Sequence, residues 1–149
     1  MKHSRKAQQI EIRIDNTFRV LLLNLGAIKM TALNVLIADD DENIREAIFL
    51  TIEKPDIRVF EAEDGLEVLK ILENNKIDFL ITDIMMPNID GLELIPKVKA
   101  QFPDIKIIAV SGESSYGSNY LEMAKMFGAS HIIRKPFRTS DFDEILNAA

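Results

Sequence analysis

Four short apolar runs in this chain each stop at a polar group suited to binding an ion. Val35-Leu36-Ile37-Ala38 stops at Asp39-Asp40, and Asp78-Phe79-Leu80-Ile81-Thr82 stops at Asp83. Ile107-Ile108-Ala109-Val110 stops at Ser111, and His131-Ile132-Ile133-Arg134 stops at Lys135-Pro136. If the runs are parallel strands of one sheet, three carboxylates, a hydroxyl and an ammonium meet at its carboxyl edge, where open α/β sheets hold ligands. Carboxylates crowded together raise one another's pKa unless a cation offsets them. An all-oxygen set without His or Cys calls for a hard cation, Mg²⁺ before Ca²⁺. A carboxylate beside such an ion can attack phosphorus. The transferring group then needs positive charge and donors around its oxygens, which Lys135 and Ser111 supply. Alone, Lys135 reads as a solvated lysine and Ser111 as a turn residue. Helix capping accounts for one of Asp39, Asp40 and Asp41, but not for Asp83.

The elements that must position these groups follow from the pattern of the chain. From residue 34 onward, short β-type runs alternate with segments of helical period, as in a parallel sheet built from βα units. The first helix is predicted to start at the N-cap Asp41, with Ile44, Ala47, Ile48 and Thr51 on one face, and to stop before Pro55. Ile57-Arg58-Val59-Phe60 reads as the second strand. The next helix is capped by Asp64, with Leu66, Leu69 and Leu72 expected to face inward. A loop from Met85 to Gly91 follows Asp83, then a helix over about Leu92 to Gln101, where Pro96 predicts a kink or a late start. A helix with Tyr120, Met123, Ala124 and Phe127 ends at Gly128, and a last short helix uses Phe142, Ile145 and Leu146.

Composition narrows the function classes. A chain of 149 residues, 47% apolar, fits one domain with a full core and has no cysteine for disulfides or thiolate metal sites. Residues 1–33 carry six Lys/Arg against two Asp/Glu, and the remainder carries 12 against 22. So acidic a body is a poor nucleic-acid binder. Its most apolar stretch, Val20 to Leu25, falls far short of the roughly 20 residues a membrane span needs. Glu11, Arg13, Asp15 and Arg19 interrupt any signal-peptide core. A cytoplasmic location is expected. Residues 1–33 read as an N-terminal extension ahead of a domain at 34–149, with Met30 a natural start. The alternative is a hairpin from Ile10–Asp15 and Phe18–Leu25 that adds to a sheet edge or joins two protomers.

Leu36-Ile37-Ala38-Asp39-Asp40-Asp41, Asp83-Ile84-Met85-Met86-Pro87-Asn88-Ile89-Asp90-Gly91, Ser111 after its β-run, and Gly128-Ala129-Ser130 leading to Lys135-Pro136-Phe137 resemble the receiver domain of two-component response regulators. The resemblance runs from about Asn34 to near the C-terminus. It implies a (βα)₅, doubly wound, flavodoxin-like fold: a five-stranded parallel sheet of order 2-1-3-4-5 in three α/β/α layers. It also implies that Asp83 is the phosphoacceptor and that Mg²⁺ is held by Asp40, Asp83 and the Met85 backbone carbonyl, with Asp39 acting through water. Ser111 and Lys135 would contact the phosphoryl group, and Lys135-Pro136 would be a cis peptide. Met85 and Glu113 flank the path of an attacking water. Ile132 departs from the family's frequent aromatic, so Tyr116 and Tyr120 are the alternative carriers of output.

The function expected from the resemblance is transfer of a phosphoryl group from a histidine kinase or phosphotransfer protein onto Asp83. This modification would switch the face made by helix 4, strand 5 and helix 5 toward a protein partner. Such a chain catalyses only its own phosphorylation and slow dephosphorylation, and is expected to be a monomer or weak homodimer without direct nucleic-acid or membrane contact. With 12 residues after Phe137, it reads as a stand-alone regulator or an excised receiver. The competing class is a Mg²⁺-dependent phosphohydrolase of the haloacid-dehalogenase type. Asn43 stands where that class has Thr or Val, and its late Gly-Asp-x-x-x-Asp motif is missing. A dinucleotide site fails because acids follow strand one where Gly-x-Gly is needed.

Overall fold

Each strand among the described residues leads into a helix. The computed structural model describes residues 32–112 and 117–149. In it, β1 (Leu33–Ala38), α1 (Glu42–Ile52), β2 (Ile57–Ala62), α2 (Gly65–Asn74) and β3 (Phe79–Asp83) form the first half. The second half holds α3 (Gly91–Gln101), β4 (Lys106–Ser111), α4 (Gly117–Met126), β5 (His131–Arg134) and α5 (Thr139–Asn147). The strand-like stretches before residue 32 and the expectations for Glu113 and Tyr116 lie outside the described residues. Among the described residues, no helix is long and apolar enough to cross a membrane.

The strands form one sheet in the order β2-β1-β3-β4-β5, and every pairing is parallel. Side chains alternate across it, as the two-residue period of a strand requires. Leu36, Ala38, Leu80, Ile107 and Ala109 face one core cluster with Val68, Leu72, Leu94, Val98 and Leu121 from α2, α3 and α4. Val35, Ile37, Phe79, Ile81, Ile108 and Val110 face the other, with Ile48 and Ile52 of α1 and Phe142 and Leu146 of α5. This is the doubly wound, three-layer fold expected above. Phe137 meets Phe142 edge-on at 5.3 Å and ties the segment after β5 to α5.

The helix starts follow capping chemistry. Asp41 accepts the Asn43 N–H at 2.8 Å, Asp64 that of Glu67 at 2.8 Å, and Asp90 that of Glu93 at 2.9 Å. Two local expectations need correction. Leu66 does not face inward: it is 55% exposed, and Val68 takes its place beside Leu72 in the core. Nor does Pro96 delay its helix. Asp90 starts α3 at Gly91, and the exposed Pro96 stands inside it, at the cost of the one N–H that would bond Leu92.

Candidate phosphoryl and metal site

β1 and β3 are neighbours, but the chain leaves them toward strands on opposite sides. The crevice between their carboxyl ends therefore lies open to a ligand. Asp39 and Asp40 follow β1, and Asp83 ends β3. Asp39 and Asp83 are buried, at 2% and 8% exposure, while Asp40 is open to solvent. One carboxylate oxygen of each lies within 4.8 Å of the others.

Lys135, just past β5, reaches across this group. Its ammonium donates to Asp39 Oδ2 at 2.9 Å and to Asp83 Oδ1 at 3.4 Å. Its backbone N–H donates to the Ser111 carbonyl at 2.8 Å, and the Lys135-Pro136 peptide is cis. Ser111 is buried at the end of β4, level with Arg134 of β5. The structure thus brings Asp39, Asp40, Asp83 and Lys135 together, with Ser111 beside them on the next strand. Met85 lies two residues beyond Asp83, and its side chain is 62% exposed.

The electrostatics follow from this crowding. Burial pushes the Asp83 carboxyl up from 3.8 to about 6, with Asp39 pushing the same way and Lys135 and the Ile84 N–H pulling it down. Burial alone pulls the Lys135 ammonium down, but the Asp39 hydrogen bond and both carboxylate charges outweigh it and raise its pKa. One ammonium pairs with two of the three carboxylates. The donor set is all oxygen, negative after Lys135 is counted, and open to water at Asp40, which suits a hard divalent cation.

Three residues to which sequence reasoning gave no role hold this geometry. Gly91 packs against the backbone at the end of β3: a Cβ there would meet the Asp83 carbonyl oxygen at 2.6 Å and the Ile84 Cα at 2.7 Å. Asn88, at φ 65°, donates from Nδ2 to Asp64 Oδ2 at 2.8 Å, bolting the Met85–Asp90 loop to the start of α2. Arg45 of α1 donates from Nη1 to the Asp39 carbonyl at 2.7 Å. An Asp-Gly pair and an Asn in a loop are turn signals, but neither Gly91's packing partner nor Arg45's reach is written in local spacing.

The description "Response regulator receiver domain" matches residues 35–147. Among curated proteins, the chain is 35% identical over 116 residues to the CAI-1 autoinducer sensor kinase/phosphatase CqsS of Vibrio cholerae, covering 76% of this chain and 16% of that one. It is 30% identical over 103 residues to the response regulator MprA of a Mycobacterium species, covering 69% of this chain and 44% of that one. The chain thus spans less than half the length of these relatives. Among solved structures, a response regulator receiver domain protein from Clostridium thermocellum aligns with TM-score 0.70 at 28% identity, over 78% of this chain and 92% of that one. A CheY-like receiver domain protein from Methanospirillum hungatei aligns with TM-score 0.71 at 28% identity, over 79% and 93%.

Proposed function

Because this chain belongs to the response regulator receiver domain family, we propose that Asp83 accepts a phosphoryl group from a histidine kinase or phosphotransfer protein. The observation that carries this reading is the meeting of Asp39, Asp40 and Asp83 within 4.8 Å, with Lys135 bonded to two of them. A carboxylate oxygen of Asp83 attacks phosphorus. The P–N bond to the donor imidazole breaks, and its electron pair returns to the ring nitrogen. Asp83 must be ionised to do this, and with a pKa of about 6 it is so at neutral pH. Lys135 and the Ser111 hydroxyl meet the charge on the phosphoryl oxygens.

Asp40, Asp83 and the Met85 carbonyl would hold Mg²⁺ directly, and Asp39 through water. The ion, when bound, supplies charge neutralisation at the carboxylates and the phosphoryl oxygens. The phosphorylated form then shifts the conformers of the α4–β5–α5 face toward one that a partner protein reads. Residues 34–149 are the receiver unit and residues 1–33 an extension to it, acting in the cytoplasm. Met85 offers an attacking water no hydrogen bond, so the phosphoryl group persists. Met85→Asn should shorten its lifetime, and an unchanged hydrolysis rate would remove the idea.

The test of the whole reading is incubation with acetyl phosphate and Mg²⁺, followed by intact mass. One acid-labile phosphoryl group should appear slowly and be absent in Asp83→Asn. Many turnovers of released phosphate, abolished by Asp39→Asn, would instead mark a phosphohydrolase.

A further inference from the structure

Arg45 is the one arginine of α1, and its side chain turns away from solvent, with 15% of it exposed. It runs back over the end of the sheet. Nη1 donates to the backbone carbonyl of Asp39 at 2.7 Å, while Nε stands 3.8 Å from Glu61 Oε1 on β2. That separation is too long for a hydrogen bond. Nε is buried and finds no hydrogen-bond partner among the described residues. The guanidinium thus stands at ion-pair distance from Glu61. Its side-chain hydrogen bond among the described residues goes to the Asp39 carbonyl, although an unmet buried donor at Nε is costly.

This bond completes a three-sided hold on Asp39. Its carboxylate accepts the Asp41 N–H at 2.9 Å and the Lys135 ammonium at 2.9 Å, and its carbonyl belongs to Arg45. The Asp39 carbonyl and the Asp40 N–H share one rigid peptide plane. Fixing that carbonyl therefore fixes the direction in which Asp40 leaves the strand. Asp40 is exposed and its carboxylate makes no hydrogen bond or salt bridge among the described residues, so it depends on this plane for its placement beside Asp83.

We propose that Arg45 is a positioning residue for the acidic site, holding the Asp39–Asp40 peptide plane so that Asp40 and Asp83 can share one divalent ion. This rests on the receiver reading above. Electrostatics alone predicts the opposite sign: removing a positive charge near a cation site tightens the ion. Positioning predicts weaker binding, because partners one step behind the ligands typically govern about 10- to 100-fold in metal affinity.

The experiment is a Mg²⁺ titration followed by the amide NMR signals of Asp39, Asp40, Asp83 and Ile84, on wild type, Asp40→Asn, Arg45→Met and Arg45→Lys, with urea unfolding in EDTA alongside. Arg45→Met should weaken Mg²⁺ about tenfold or more and shift the Asp40 amide signal before any ion is added. Arg45→Lys keeps the charge but ends one bond short of the Asp39 carbonyl, so its affinity should fall between the two. If Arg45→Met does not fold, Arg45→Lys decides: wild-type affinity there overturns the proposal. A folded Arg45→Met that binds Mg²⁺ as tightly as wild type, or more tightly, overturns it too, leaving Arg45 a structural residue or a point charge. A wild type that binds Mg²⁺ no better than Asp40→Asn overturns the receiver reading along with it.

Discussion

Asp83 sits where its own charge is expensive. Its carboxyl stands near 6 in the fold against about 4 in an unfolded chain. Below pH 4 it is neutral in both states and contributes nothing unfavourable. Between pH 4 and 6 the unfolded chain gives up this proton while the folded one keeps it, so stability drains away as pH rises. Above about 6 the loss is complete, on the order of 2–3 kcal/mol for a shift of this size. Asp83→Asn should therefore be more stable than wild type at pH 7 in EDTA. The difference between the two should grow from pH 4 to 6 and then level, as read by urea unfolding across pH. A constant difference would refute the buried-charge account. The carboxylates and Lys135 were legible because strand ends announce themselves by composition. Arg45 was not: it stands six residues past Asp39, and only the fold of α1 back along β1 brings it to that carbonyl.

At the scale of elements, two helix starts press on the end of β3 and on the loop that follows it. Gly91 opens α3 against the backbone of Asp83 and Ile84, and Gly65 opens α2 with its Cα against Ile89, where a Cβ would meet the carbonyl oxygen at 2.5 Å. Both contacts are with main chain, which cannot swing aside as a side-chain tip can. Gly91→Ala should cost about 1–3 kcal/mol by overpacking and slow phosphorylation of the remaining folded protein by displacing Asp83. Full activity with wild-type stability would show that the loop yields freely. Sequence reading found the start of α2 through its Asp64 cap but did not name Asp90 as the cap of α3, and it misplaced Leu66. Three leucines spaced by three drew the inward face around Leu66, whereas the fold turns Val68 and Leu72 to the sheet. Periodicity reports that a helix has an apolar stripe; which edge of a broad stripe meets the core is settled by the crossing of helix and sheet.

For the whole molecule, the carboxylate cluster is an unfavourable feature until an ion offsets it. Mg²⁺ at 100 times its Kd should add about 2.7 kcal/mol to unfolding stability, seen as a higher urea midpoint. Asp40→Asn should lose that increment while changing metal-free stability by no more than about 0.5 kcal/mol, because the side chain is exposed. An equal gain in both proteins would place the ion elsewhere. The fold itself was legible because alternation of strand and helix admits few topologies. Strand order has a further effect at the margins. Among the described residues, the sheet is bordered by β2, which bears Arg58 and Glu61, and by the four-residue β5, which bears His131 and Arg134. Charged borders, one of them only four residues long, make poor templates for an incoming backbone. Through these two borders, crowded copies of the described domain thus gain little by growing into ribbons.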